Sequence, residues 1–478
     1  MRRRATAAIP AILAALGLWG AFVGCSGDAA TAASTTTTVG GAGGAGSGGA
    51  TATGGSGGQG GEAPAPDGGP VDAAVDAAAG EAIVRVYDDG DPKADVPVLF
   101  HGADGALALA TKTGADGKAV GPASGSATVT VALEGAHELV SIFGVVPGDD
   151  LFVGSPVALH RKIGVAKIAA SQQVAGAHDF VLDLGMKSAV VGALEPPVEI
   201  DLPASALLGG KPYAVVAFAR DGSGVPTVTA WAEGPALDAD GVSAVTLPAW
   251  TFDVESFFLR VSNVLPGASF AQARSAPVGP NGLAHFALNP WQVVAPAKLN
   301  IFLFAEPKGF GSLTEIVAGA SFGDQGADAN SSVVKRIKDR PYELDFDLAA
   351  HTLPQVEGAT VKGAAGQGPT LDFANKGAFA AADGVFVSSS WDAPVGSVRW
   401  LAIAPVTAKG GFGLPALPKE LASWLPSSAA VGESVVTVVA ADYASGYDEL
   451  RRAHGPGLLT EPFPDGEIEL AYSSAFAK

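Results

Sequence analysis

Residues 96–133 read VPVLFHGADGALALATKTGADGKAVGPASGSATVTVAL, and this stretch indicates the fold class. Val96–Phe100 is a short apolar run, and apolar and polar residues alternate at the start of Thr128–Leu133; both patterns are typical of strands. Asp104-Gly105 and Asp116-Gly117 lie between these runs, and Asp-Gly is a strong hairpin signal because glycine tolerates positive φ. The pattern predicts short β-strands joined by tight turns.

The same stretch, extended upstream to residue 82, resembles bacterial Ig-like and carboxypeptidase-regulatory-like modules. The matching residues form an apolar strand, a Thr-x-Thr step, an Asp-Gly turn and a Val-rich last strand: Val96, Val98, Phe100, Thr111, Thr113, Asp116, Gly117, Val129 and Val131. Members of these families serve as spacers, adhesin stalks or accessory folds. The resemblance therefore implies a β-sandwich without an active site.

The rest of the chain has the same pattern of short apolar runs separated by turn residues. Asp-Gly or Asn-Gly recurs at 221–222, 240–241, 281–282, 383–384 and 465–466. Further strands are predicted at 212–219, 227–232, 257–264, 299–306, 398–405 and 434–442. Helices are predicted only at Pro418–Leu425 and Tyr443–His454. We expect an all-β chain of Ig-like or transthyretin-like β-sandwich domains, divided near residues 185 and 350 into 81–185, 186–350 and 351–478.

Residues 1–24 have the pattern of a signal peptide. Arg2, Arg3 and Arg4 form a positive n-region, and an apolar h-region follows from Ala11 to Val23. The alternative is a transmembrane anchor, but the segment is rich in Ala and Gly and has no charged stop on its far side.

Phe22-Val23-Gly24-Cys25 resembles the bacterial lipobox, with Phe22 in place of the usual leucine. The resemblance implies that Cys25 receives diacylglycerol through a thioether, and that two or three acyl chains anchor the chain in a membrane. Ser26 in place of Asp points to the outer membrane by the enterobacterial sorting rule. Cys25 is the only cysteine, so a disulfide within the chain is excluded.

Residues 25–80 form a Gly/Ala/Thr-rich linker that lacks the apolar groups needed to offset the entropy of ordering. A Gly-rich coil of this length has a root-mean-square span of roughly 40 Å. We therefore expect a disordered tether that holds the folded part away from the membrane.

The formal net charge of −19 argues against nucleic-acid binding, because an acidic surface repels phosphate backbones. The densest basic run is short and is interrupted by Asp339: Lys335, Arg336, Lys338 and Arg340. No cofactor is predicted either. Residues 41–46 match the dinucleotide-binding pattern G-x-G-x-x-G, but they lie in a glycine repeat with no strand before it.

Ser321 in Gly319-Ala-Ser-Phe-Gly323 matches the nucleophile elbow of serine hydrolases, with His351 or His454 as the base. An elbow needs a strand before the serine and a helix directly after it. The residues after Gly323 make a poor helix start, because Gly326 lies among them. We favour a loop serine and predict no catalytic residues.

No metal site is predicted, because no two histidines have the spacing of zinc ligands. Acidic loops can supply oxygens to a calcium ion, but solvated turns are the better interpretation of these loops. The residues concerned are Asp88, Asp89, Asp91, Asp95, Asp149, Asp150, Asp238 and Asp240.

Six tryptophans follow the signal peptide, and aromatic bulk of this kind usually belongs to the core. They are Trp231, Trp250, Trp291, Trp391, Trp400 and Trp424. Trp391, followed by Asp392, is the most loop-like of them. An exposed ring beside carboxylates would instead form a platform for a sugar.

The sequence thus favours a lipid-anchored lipoprotein of the outer membrane, facing the periplasm or the exterior, whose folded part is a non-catalytic structural or binding module. A carbohydrate-binding or adhesive surface protein is the first alternative, and an envelope serine hydrolase is the second. A glycan or protein partner is compatible with either of the first two interpretations.

Overall fold

The computed structural model describes residues 80–156, 159–185, 187–251, 253–289, 291–323, 328–375, 377, 381–406, 410–429, 431–454 and 463–477. The predicted signal peptide (1–24), Cys25 and the linker up to residue 79 lie outside the described residues. Within that range the all-β prediction is confirmed, with 29 strands and two short α-helices. None of the helices described is both long and apolar enough to span a membrane.

The first eight strands form a β-sandwich. They are β1 Glu81–Asp88, β2 Asp91–Pro92, β3 Pro97–His101, β4 Leu107–Lys112, β5 Lys118–Pro122, β6 Ala127–Leu133, β7 Glu138–Val145 and β8 Asp150–Val153. β1 pairs antiparallel with β2 and β5 and parallel with β8. Val84 and Val86 of this sheet share an apolar core with Phe100 of β3 and Val129 of β6. The predicted turn at Asp104-Gly105 joins β3 to β4, and Gly105 has φ +76°.

Seven strands follow in two sheets around their own core. They are β9 Lys162–Ala170, β10 Asp179–Asp183, β11 Ser188–Val191, β12 Val198–Pro203, β13 Ala214–Arg220, β14 Pro226–Glu233 and β15 Val242–Leu247. One sheet has the order β11-β10-β13-β14 and the other β12-β9-β15. Ile168, Leu182 and Val215 lie in the core between these sheets, so residues 162–247, called the middle unit below, form a second sandwich.

The remaining elements run to the end of the described chain. They are β16 Val254–Ser262, β17 Ala268–Val278, β18 Gln292–Val294, β19 Leu299–Pro307, β20 Leu313–Phe322, β21 Ala329–Lys338, β22 Glu343–Asp347, α1 Leu348–His351, β23 Val356–Ala364, β24 Gln367–Asn375, β25 Gly384–Ala393, β26 Gly396–Ala404, β27 Gly410–Gly413, β28 Ser434–Ala441, α2 Tyr447–His454 and β29 Ile468–Ala477. The predicted helix at Pro418–Leu425 is a 3-10 helix over Lys419–Trp424.

Four strands of the first sandwich and eight of the later ones build one sheet of twelve strands, called the large sheet, in the order β18-β17-β20-β21-β29-β28-β25-β26-β7-β6-β3-β4. Its pairs are antiparallel except where β26 meets β7. Two three-stranded sheets, β19-β16-β22 and β23-β24-β27, contribute to the core on one face, and the β1 sheet contributes to the core on the other. The large sheet draws strands from the predicted ranges 81–185, 186–350 and 351–478, and the boundaries between those ranges stay predictions.

Candidate functional site

A groove opens where the middle unit meets the large sheet. Its cavity volume is about 490 Å³, which lies within the range of ligand pockets. The walls come from segments far apart in the chain: the two ends of the β13–β14 hairpin, the turns at 278–282 and 309–312, the end of β21, and Asp465-Gly466 before β29. The groove therefore exists only when the middle unit is docked on the large sheet.

Trp231 and Phe310 form the aromatic wall of the groove. Their ring centroids are 5.3 Å apart at 69°, an edge-to-face arrangement. The half-buried Trp231 donates from Nε1 to the carbonyl oxygen of Lys308 at 3.3 Å, which fixes the plane of the indole. Phe310 is held between glycines at positive φ, and a Cβ on Gly311 would collide with the carbonyl oxygen of Val278. Only glycine permits this close approach.

Charged groups of both signs line the rest of the groove. Lys211 Nζ lies 2.6 Å from Asp465 Oδ2, and this ion pair joins the middle unit to the segment before β29. Arg336 is buried and pairs through Nε with Glu315 Oε2 at 2.9 Å. Glu233 and Lys338 are also part of the lining. A ligand in the groove thus meets donors and acceptors close together.

Two buried ionisable groups lie beneath the groove. The imidazole of His285, 1% exposed, packs edge-on against Phe310 with centroids 5.0 Å apart. Burial lowers the pKa of His285 to about 4. Burial also raises the pKa of Asp183 to about 6, although the carboxylate accepts hydrogen bonds from the backbone N–H groups of Ala287 at 3.0 Å and Gly185 at 2.8 Å. Asp183 belongs to β10, so it ties the middle unit to the segment after β17.

Ser321 lies within the large sheet, one residue before the end of β20, so the expectation of a loop serine was wrong. It is 4% exposed in β20 and lies between Phe270 of β17 and Asn330 of β21. After residues 324–327, which are outside the described residues, the chain continues as strand β21. His351 bonds through Nδ1 to Glu469 at 2.8 Å. The described geometry at Ser321 is therefore that of a strand residue and not of a nucleophile elbow.

The acidic loops considered for calcium are engaged by protein donors. Arg85 pairs with Asp150 at 2.8 Å, and Arg451 pairs with Asp149 at 2.9 Å. Asp89 accepts the backbone N–H groups of Leu159 and His160. Asp88 pairs with Lys93, Asp91 with Arg161, and Asp238 bonds the backbone of its own turn. Within the described residues, no three or more His, Cys, Asp or Glu side chains are grouped to hold a metal ion.

The expectation that Trp391 is loop-like was wrong. Trp391 lies in β25, is 2% exposed, and donates from Nε1 to the carbonyl oxygen of Trp424 at 2.8 Å. Trp400 and Trp424 are buried in the same core, which agrees with the general expectation for the tryptophans. Sequence reasoning missed the groove because Lys211 and Asp465, which close it, are 254 residues apart. The local sequence signal for the groove was Trp231, which lies near the end of a predicted strand and two residues before Glu233.

No known protein family matches the chain, and no curated protein matches it. Among solved structures, one similar chain is described as "a putative adhesin" from Bacteroides ovatus ATCC 8483. The two are 8% identical, the match covers 56% of this chain and 93% of that one, and the TM-score is 0.18. A TM-score this low supports no transfer of function.

Proposed function

We propose that the chain is a lipid-anchored protein of the outer membrane whose folded part is a non-catalytic binding module. The observation that carries the binding role is the groove between the middle unit and the large sheet. It combines a half-buried tryptophan, a phenylalanine and charges of both signs in about 490 Å³. Pockets that bind small ligands typically have an aromatic lining with a few placed polar groups.

The anchor is proposed from the sequence around Cys25 and from the linker that follows it. Metabolic labelling with palmitate, comparing the wild type with Cys25→Ser, tests this part. We expect label on the wild type alone. Equal labelling of both proteins would contradict the anchor.

The recognition site is tested with an array that carries saccharides, peptides and lipids, probed with the full chain. Ser312 lies exposed on the groove wall, so Ser312→Tyr fills the groove without entering the core. Ser124→Tyr places the same bulk at an exposed position between β5 and β6 and serves as the matched control. We expect binding to be lost only in Ser312→Tyr. Binding that survives this substitution would exclude the groove as the recognition site.

A further inference from the structure

We infer that the ligand of the groove is a short segment of neutral saccharide. This inference rests on the proposed function and adds the class of ligand to it. Three features of the groove carry it: the fixed indole of Trp231, the close alternation of charges, and the five glycines in its walls.

The indole of Trp231 suits the apolar face of a sugar ring. The face of an aromatic ring carries partial negative charge and its edge partial positive charge, so weakly positive C–H groups pack against the face. Phe310 lies edge-to-face with Trp231, and the hydrogen bond to Lys308 holds the indole at one angle. The ring is thus positioned before a ligand arrives, which lowers the entropic cost of binding.

The charges in the groove select against an ionic ligand. Lys211, Lys338 and Arg336 bring positive charge, while Asp465 and Glu233 bring negative charge. An anion or a cation would meet a group of its own sign within the same small cavity, and each would have to lose hydration on entry. A hydroxyl group donates and accepts hydrogen bonds, so a neutral polyol can use both kinds of partner.

The glycines set the size of the ligand. Gly279, Gly282, Gly309, Gly311 and Gly466 all line the groove and carry no side chains to fill it. The backbone can therefore approach a ligand closely on several sides. A groove of about 490 Å³ has room for a small ligand but not for many units of an extended polymer. We therefore expect recognition of one or two sugar units.

Titration calorimetry and saturation-transfer NMR on the full chain test this inference with three neutral disaccharides: cellobiose, maltose and lactose. Glucuronic acid and glucosamine serve as anionic and cationic probes. We expect at least one neutral disaccharide to bind, and both charged probes to bind about tenfold more weakly or not at all. Failure of all three neutral sugars at millimolar concentration, or stronger binding of a charged probe, would overturn the inference.

The location is tested with Trp231→Ala and, in case that variant folds poorly, with Ser312→Tyr. Trp250→Ala is the matched control, since Trp250 is also half-buried, donates to the carbonyl oxygen of Gln172 at 2.9 Å, and lies outside the groove. We expect Trp231→Ala to weaken binding by about tenfold or more and Trp250→Ala to leave it unchanged. Equal effects of both substitutions would overturn the assignment.

The outcome for the ligand class is separable from the outcome for the proposed function. If a peptide or lipid on the array binds the wild type and does not bind Ser312→Tyr, the saccharide inference is wrong and the proposed binding module still stands. A saccharide that binds equally well to Ser312→Tyr overturns both the groove and the inference.

Discussion

Asp183 and His285 lie side by side beneath the groove. Replacing Asp183 and replacing His285 should change the pH dependence of the unfolding free energy in opposite directions. Asp183 Oδ1 and His285 Nδ1 are 3.8 Å apart, and both side chains are almost wholly buried. Burial raises the pKa of Asp183 from 3.8 to about 6. Burial lowers the pKa of His285 from 6.5 to about 4. Arg274 is the charged group that favours the ionised form of Asp183.

The two groups contribute to the unfolding free energy with opposite signs. Folded Asp183 binds its proton more tightly than unfolded Asp183, so its contribution is fully present below pH 3.8 and is lost as the pH rises through about 6. Folded His285 binds its proton less tightly, so its contribution is present above pH 6.5 and is lost as the pH falls through about 4. Each difference in pKa corresponds to about 3 kcal/mol over the full titration range. In the wild type the two contributions largely cancel.

The single variants expose the separate contributions. Between pH 7 and pH 4, the stability of His285→Gln should rise by about 2–3 kcal/mol relative to the wild type, and that of Asp183→Asn should fall by about as much. Urea unfolding of the full chain, followed by tryptophan fluorescence at a series of pH values, gives these differences. Any loss of unfolding free energy from repacking is the same at every pH, so it does not affect the comparison between pH 7 and pH 4.

Glu255→Gln removes an exposed carboxylate from β16 and controls for the loss of one surface charge. If Asp183→Asn and His285→Gln shift stability in the same direction between these pH values, or if neither differs from Glu255→Gln, then burial does not control these two groups as argued.

Three further predictions concern the core and the sheet. Arg451→Met should destabilise the protein by about 3–5 kcal/mol because it removes the close, buried partner of Asp149 and leaves Arg452, at 4.0 Å, as the remaining ion-pair partner. Arg260→Met at an exposed ion pair should cost under about 1 kcal/mol, and urea unfolding of both variants decides. Trp391→Ala should lower the free energy of unfolding by about 3–5 kcal/mol in the same assay, while the folded protein keeps its ligand affinity. A loss of ligand affinity without a loss of stability would instead place Trp391 at the binding site. A fluorophosphonate probe should leave Ser321 unlabelled in the folded chain, since the residue is buried in a strand. Stoichiometric labelling of Ser321, detected by mass spectrometry, would support the serine-hydrolase interpretation instead.

The strands were largely predictable, because a buried strand leaves a local pattern in the sequence. The runs at 257–264 and 299–306 became β16 and β19, and these two strands pair along their whole length. The turn at Asn281-Gly282 was predictable for the same reason, since Gly282 takes φ +81° there. Local alternation and turn chemistry were sufficient for these elements.

The order of the large sheet was not predictable, because pairing between distant strands leaves no local signal. β26 joins β7 in parallel, and Arg399 of one strand pairs with Glu138 of the other across 261 residues. A parallel junction cannot be made by a hairpin and depends on everything folded between the two strands. The prediction for Trp391 was wrong for a related reason: Asp392 after it suggested a loop, while the strand pairing of β25 with β26 extends to Ala393.

The contacts that dock the middle unit also surround the groove, and this links binding to the assembly of the fold. Asp183 accepts from the N–H of Ala287, Asn281 donates from Nδ2 to the carbonyl oxygen of Ala206 at 3.1 Å, and Lys211 pairs with Asp465. A ligand that touches both sides of the groove binds only the docked arrangement. By mass action it must stabilise that docking, by an amount that grows with the ratio of ligand concentration to dissociation constant. A ligand of the groove should therefore protect the Lys211–Asp465 junction against local opening, and amide hydrogen exchange at 279–283 is where that protection would be seen.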